Sequence, residues 1–310
     1  MHKKQPLVSI IMANYNNGKY IKEAIQSVFD QTYTNWEVII VDDASTDNSW
    51  DIIKDFPKKY NKIYSYQNEI NIKVAATKGR ATELSTGEIC AILDPDDTLL
   101  NTALEKHVAI YLNNPNCSMV SSKYFYCDAK LNIEGVNKDV FNPELNYSYL
   151  SSSGGINAFW SFKKKCYNQS SGFDAKFILA EDQDLYYKLE EVGDLKVIDE
   201  PLYCYRIHQN SISKNDNLAN AYAYHLLAMF DAKYRRSKNK EESNSIKLKA
   251  LHFMTWGIMK IKKQMRLQLF SKIVISFPQL LFKRTILSAL WGVIKKKYYL
   301  RDGLCNCYLL

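Results

Sequence analysis

Three short, nearly continuous apolar runs, Leu7 to Met12, Trp36 to Val41 and Ile89 to Leu93, each stop abruptly at a polar cluster. The clusters are Asn14-Tyr15-Asn16, Asp42-Asp43 and Asp94-Pro95-Asp96-Asp97. Runs of this length and composition are strands buried on both faces of a parallel sheet. Between them Ile21, Ala24, Ile25, Val28 and Phe29 recur at helical spacing, and Leu104, His107, Val108 and Tyr111 mark a second amphipathic helix. Helices are also expected through Trp50, Ile53 and Phe56 and from Val74 to Ser85, with a strand at Lys62 to Gln67. Strand and helix thus alternate four times over short links. This predicts an α/β fold, a mostly parallel central sheet with helices on both faces. In such sheets ligands bind beyond the carboxyl ends of the strands, so one edge gathers an aromatic ring and five carboxylates.

The remaining chain reads as a strand over 118 to 126, a polar stretch from Leu131 to Ile156 long enough to be a functional loop region, a helix from Glu181 to Glu191, a strand from Leu195 to Ile198 and an extended piece from Pro201 to His208. Beyond Ser213 the pattern is helical. No G-x-G-x-x-G follows the first run and no G-x-x-x-x-G-K-[ST] occurs, which excludes a dinucleotide fingerprint and a phosphate loop. With 46% apolar and 24% charged residues among 310, the chain has the composition of an ordered globular protein. Its seven cysteines are odd in number and form no C-x-x-C pair, which argues for a reducing compartment and against zinc. The basic N-terminus has too few apolar residues for a signal-peptide core, so a cytoplasmic location is expected.

Asp94 and Asp96 lie two apart at the end of a strand, where the period of two puts both carboxylates on one face. Pro95 biases Asp94 toward extended backbone and preserves that spacing. Two such carboxylates make a hard-oxygen site suited to Mg2+ or Mn2+, with phosphate oxygens completing the shell. A solvated acidic turn is the alternative for these residues taken alone.

VSIIMANYNNGKYIKEAIQSVFDQTYTNWEVIIVDDASTDNS (Val8 to Ser49), TGEICAILDPDD (Thr86 to Asp97) and GFDAKFILAEDQDLYYKL (Gly172 to Leu189) resemble the family 2 glycosyltransferases of the GT-A fold, in the family's order and over about residues 7 to 212. The resemblance implies an inverting enzyme that moves a sugar from a nucleotide diphosphate, usually UDP, to an acceptor hydroxyl. It marks Ala13, Tyr15, Asp42 and Asp43 as donor-binding, with Tyr15 stacking on the base and Asp43 contacting uracil. It places the D-x-D metal motif on Asp94 and Asp96, with Asp96 the direct ligand, Asp94 nearer the ribose and Asp97 in support. The family's Glu-Asp block falls on Glu181 and Asp182. An acceptor hydroxyl is a poor nucleophile until a carboxylate takes its proton; Asp182 is the expected base and Asp184 the alternative. Three acids in the first turn of a helix would also suit its dipole without any catalysis.

YCYRIHQNSIS (Tyr203 to Ser213) resembles the family's segment after the last core strand, which makes His208 a third metal ligand or diphosphate contact and Arg206 a partner for phosphate or an active-site acid. One block departs from the pattern: many members carry an arginine-asparagine pair where this chain reads AATKGRA. Lys78 or Arg80 then supplies the cation for the diphosphate, and only arginine does so bidentately.

Charge is divided unevenly. Residues 1 to 214 carry 23 Lys+Arg against 28 Asp+Glu, and residues 215 to 310 carry 18 against 5. The expected organisation is a catalytic GT-A domain over 1–214 and a basic, helical C-terminal extension over 215–310. Ile273 to Phe282 and Thr285 to Ile294 are too short to span a bilayer. Flanked by Lys283-Arg284 and Lys295-Lys296-Lys297, they fit helices lying on an anionic membrane, peripheral to the inner face, or a helical cap on the catalytic domain. No recognition motif accompanies the charge, so nucleic acid is not an expected partner. The expected partners are a UDP-sugar donor and a glycan or lipid-linked acceptor of surface-polysaccharide synthesis. The rival reading is a catalytically silent, membrane-associated module that binds nucleotide sugars, favoured only by Lys78-Gly79. A nucleotidyltransferase would need a glycine- and lysine-rich first loop that is absent.

Overall fold

The computed structural model describes residues 5–138, 141–144, 148–152, 154–156, 158–208, 217–239 and 241–242. The chain divides into two units, Met1–Lys233 and Tyr234–Leu310. The expected boundary at 214 and the basic apolar helices from Ile273 to Lys297 lie outside the described residues. Among those that are described, no helix is long and apolar enough to cross a membrane.

The first half of the chain runs β1 (Val8–Asn14), α1 (Ile21–Phe29), β2 (Trp36–Asp42), α2 (Ser49–Ile53), α3 (Phe56–Lys59), β3 (Ile63–Gln67), α4 (Val74–Leu84) and β4 (Ile89–Ile92). All four strands are parallel, in the order β3-β2-β1-β4, with Val8 opposite Trp36 and Asn14 opposite Asp42. Helices cover both faces. Ile21, Ala24 and Val28 of α1 join Ile10, Met12 and Val38 in the main core, while α4 packs on β1 and β2. The helix expected through Trp50 and Phe56 is broken in two. Pro57 has no N–H to offer Ile53, whose carbonyl accepts the Ser65 hydroxyl instead (3.0 Å).

The second half adds β5 (Thr98–Leu99), α5 (Ala103–Asn113), β6 (Cys117–Cys127), β7 (Ile133–Val136), α6 (Tyr149–Ser152), β8 (Trp160–Lys163), α7 (Lys164–Gln169), α8 (Glu181–Glu190), β9 (Asp194–Arg206) and α9 (Asn217–Arg235). The sheet continues β4-β8-β6-β9-β5, with β8 antiparallel to both neighbours and β7 hairpinned onto β6. The two extended pieces before and after Pro201 are one strand. Its register on β6 slips at Lys123 opposite Pro201, which cannot donate to the ladder, and resumes at Phe125 opposite Cys204. The five cysteines among the described residues are free and buried.

The base of β1 is tied by polar side chains. Ser9 Oγ donates to Glu37 Oε1 (2.6 Å) and accepts from Gly87 N (2.8 Å), so Gly87 lies against the backbone of β1. A Cβ at position 87 would sit 2.5 Å from Ser9 Oγ and 2.7 Å from the Leu7 carbonyl oxygen. We predict that Gly87→Ala costs about 2 kcal/mol of stability in chemical denaturation, with transfer kinetics unchanged where the variant is folded. A loss below about 0.5 kcal/mol would mean β1 and the β4 approach are not packed this closely.

Candidate active site

Pleat parity decides which strand-end residues face the cleft. Ile10, Met12, Val38 and Ile40 share a core with α1, so alternation sends Asn14 and Asp42 to that face and Ala13 and Asp43 to the α4 face. Asp42 is fully buried and its carboxylate is occupied. It accepts from Asn14 Nδ2 (2.8 Å), Ser45 Oγ (2.6 Å), Ser45 N (3.1 Å) and Gln67 Nε2 (3.2 Å). Asp42 therefore shapes the turn after β2 and offers no free oxygen to a donor, contrary to the expectation for it. Tyr15 stands 46% exposed just past β1, on a turn pinned by Asn16 Oδ1, which accepts from Thr46 N (2.8 Å).

Asp43 serves the opposite face. Its oxygens accept from Asn68 Nδ2 (2.7 Å), Ile72 N (2.8 Å) and Lys73 N (2.9 Å), fixing the entry to α4. Arg80 holds the same loop from the far side through Gln67 O (3.1 Å) and Asn68 Oδ1. Asn68 thus links two predicted donor residues; its place right after β3 was the available signal.

The acids of β4 do not lie on an extended strand. Asp97 N donates to Asp94 O (3.1 Å), closing a four-residue turn with proline in second place and aspartate in first. The turn parts the two carboxylates that strand parity had put together: Asp94 meets Lys78 and Asp96 meets His208. Lys78, 5% exposed, reaches Asp94 Oδ1 at 3.4 Å and Glu181 Oε1 at 3.0 Å. Burial alone would lower its pKa, but the carboxylates of Asp94, Glu181 and Asp182 outweigh it and hold the ammonium well above its ordinary value. Desolvation raises Asp94, with Lys78 opposing and Asp96 adding to the rise. Asp182 is partly exposed, and desolvation followed by the Glu181 charge pushes it up to about 7, against the pull of Lys78. Asp184, the alternative base, is wholly buried and paired with Lys188 Nζ (2.7 Å), so it cannot meet an acceptor.

Asp97 latches β9. It accepts from Tyr203 Oη (2.8 Å) and Arg206 N (2.7 Å). Arg206 is 2% exposed. Its guanidinium donates to Asp96 O (2.6 Å), Ala129 O (2.9 Å) and Glu23 Oε2 (2.6 Å) and lies 4.7 Å over the Tyr20 ring. Of the two expected partners, phosphate or an active-site acid, the guanidinium meets neither carboxylate of the D-x-D turn but braces its backbone at Asp96 O and pairs with Glu23.

His208 Nε2 and Asp96 Oδ2 are 2.9 Å apart at the cleft edge. The two are hydrogen-bonded to each other; an imidazole nitrogen and a carboxylate oxygen are both donors that Mg2+ or Mn2+ accepts, so the pair would hold such an ion once that bond opened. Among the described residues no group of three His, Cys, Asp or Glu could hold a metal. The remaining positions would fall to phosphate oxygens and water, as is usual for Mg2+.

The mixed α/β sheet matches solved GT-A glycosyltransferase structures, and comparison with known proteins gives the family. Residues 9–169 match the family model Glycosyl transferase family 2. The chain is 30% identical over 211 residues to the Escherichia coli UDP-Glc:alpha-D-GlcNAc-diphosphoundecaprenol beta-1,3-glucosyltransferase WfgD, covering 67% of this chain and 80% of that one. Among solved structures it resembles S. aureus TarS 1-349 in complex with UDP-GlcNAc (TM-score 0.59, 18% identity, 96% and 95% of the two chains). It also resembles the mannosyltransferase PcManGT from Pyrobaculum calidifontis with GDP-Man and Mn2+ (TM-score 0.57, 17% identity, 95% and 87%). The chain belongs to glycosyltransferase family 2 and is a glycosyltransferase.

Lys78→Met would strand Glu181 and Asp94 without their cation and is expected to cost about 3 kcal/mol at pH 8. Asp94 and Asp182 bind protons more readily in the folded than in the unfolded chain, so their contribution grows as pH falls through their raised pKa values. Part of the loss should therefore return at pH 6. Denaturation at the two pH values checks this, and a deficit that deepens on acidification would contradict it.

Proposed function

We propose that this glycosyltransferase transfers a sugar from a UDP-sugar to a hydroxyl of a glycan or lipid-linked acceptor in surface-polysaccharide synthesis, with inversion at the anomeric carbon. The observation that carries the proposal is the division of the acids in the cleft. Glu181 and Asp94 are tied to Lys78, while Asp182, a half-buried residue on the same helix turn as Glu181, has a carboxyl that desolvation and the Glu181 charge push up to about 7. One carboxylate free to take a proton, with no second one placed as a nucleophile, suits a single in-line displacement. WfgD is described by its name as acting on a diphosphoundecaprenol-linked sugar, which supports a lipid-linked acceptor here.

The residues divide the work as follows. Tyr15 stacks on the base at the open end of β1, and the loop that Asp43, Asn68 and Arg80 hold together walls the nucleotide. Lys78 keeps Asp94 and Glu181 from repelling the diphosphate and one another. Asp182 takes the acceptor proton as the new C–O bond forms and the bond to the diphosphate breaks. Asp96 and His208 would hold Mg2+ or Mn2+, which supplies neutralising charge for the departing UDP. The basic region 215–310 supports peripheral attachment to an anionic membrane on its cytoplasmic face, where a lipid-linked acceptor is presented.

Asp182→Asn should lower kcat by about 10²- to 10⁴-fold in a UDP-release assay with Mn2+, while calorimetric affinity for the UDP-sugar stays within a few-fold. Retained turnover would remove Asp182 from the role of base. In the wild type, kcat/KM should rise with pH as Asp182 loses its proton, with the acid limb centred near pH 7 (pKa about 7). A rate that falls across this range would mean that the protonated form is the active one. Full-length protein should sediment with vesicles containing phosphatidylserine and much less with phosphatidylcholine alone; equal binding to both would argue against electrostatic attachment.

A further inference from the structure

Tyr186 is left unused by the site as described. It lies one helical turn beyond Asp182 on α8 and is fully buried. Its ring stands edge-on to Trp160 (centroids 4.8 Å apart, planes at 88°) and to Tyr149 (5.8 Å, 79°). Its hydroxyl meets no hydrogen-bond partner among the described residues. Nearby tyrosines are treated differently: Tyr149 Oη donates to Gln183 Oε1 (2.6 Å) and accepts from Ile156 N (3.3 Å), and Tyr203 Oη donates to Asp97. A phenylalanine would fill the same space without a buried, unsatisfied donor.

The direction of the side chain places this hydroxyl. On a helix, side chains lean toward the N-terminus and residue i+4 covers residue i, so the Tyr186 ring projects back over the turn of Glu181 and Asp182. Trp160, against which it packs, pairs with Ile92 at the end of β4, two residues before Asp94. Burial first, and then the charges of Asp182, Glu181 and Asp94, raise the phenol well above its ordinary pKa, so it stays a donor. The backbone N of Gln183 holds Asp182 Oδ1 (2.8 Å), which leaves the second carboxylate oxygen for the reaction.

We propose that the Tyr186 hydroxyl is a positioning group for Asp182, donating to its carboxylate as that side chain turns to receive the acceptor proton. The inference rests on Asp182 being the base. A hydroxyl donated to a carboxylate orients its oxygens and favours the ionised form. Here it acts together with Lys78 against the charges of Glu181 and Asp94, which oppose ionisation of Asp182. Tyr149, the other hydroxyl packed on this turn, is committed to Gln183 and Ile156 and cannot replace it.

Tyr186→Phe keeps the ring and its packing, and its kinetics are to be measured beside those of Asp182→Asn by UDP release. The expected result is a fall in kcat of about tenfold with both KM values little changed, an acid limb of kcat/KM moved to higher pH, and an unfolding midpoint equal to or above the wild type. Unchanged kcat and pH limb, with Asp182→Asn inactive, would overturn the positioning role and leave the base in place. A raised KM at constant kcat would also overturn it, because the hydroxyl would then be binding substrate. Wild-type turnover in Asp182→Asn would remove the base and this inference together.

Discussion

The cleft depends on one buried cation. Lys78 lies on α4, Asp94 at the end of β4 and Glu181 at the start of α8, 103 residues from the lysine, yet a single ammonium touches both acids. Without it the carboxylates of Asp94, Glu181 and Asp182 would repel one another with no cation between them. With it, one positive charge is shared between Asp94 and Glu181, which offsets part of their mutual repulsion, while desolvation and the Glu181 charge push the Asp182 carboxyl up to about 7. The desolvation that makes such a pair costly also makes its loss severe. The same lysine therefore ties α4 to the turn after β4 and to the start of α8.

Around that centre the fold uses its other acids as struts. Asp42 organises the turn after β2, Asp43 closes the loop into α4, and Asp97 fastens β9 through Tyr203 and the Arg206 backbone. Arg206 then braces the turn that carries Asp96 and sits against Tyr20, whose ring also lies 5.0 Å from His208. Asp96 and His208 are thus backed by the Arg206 guanidinium and the Tyr20 ring. Under the proposed reading, such support would hold the two groups in place for a cation.

The parallel half of the sheet was legible because its strands are long, apolar and bounded by polar turns. Helices α1, α4, α5 and α8 followed from periodicity within a few residues of their observed bounds. The antiparallel half was less so. Thr98–Leu99 is too short to show any period, and Trp160–Lys163 runs directly into α7, so neither carries a turn signal. Pro201 hid the continuity of β9. At the site, residue types were legible but directions were not. Adjacent Asp42 and Asp43 fall on opposite faces because of the pleat, and Asp94 and Asp96 part because Pro95 initiates a turn. Arg206 was expected to meet phosphate or an active-site acid, since nothing in its sequence neighbourhood announces Glu23 or Ala129 as partners. Tyr186 gave no signal, because an aromatic at that helical position is indistinguishable from core.

If a lone carboxylate does the proton work opposite a departing diphosphate, the stereochemistry of the product is already determined. The most direct measurement is the anomeric configuration of the new linkage, read from proton coupling in the NMR spectrum of material made from an α-linked UDP-sugar. The account predicts a β-linked product. An α-linked product would require a second nucleophilic step that the cleft, with Glu181 and Asp94 bound to Lys78, does not provide for.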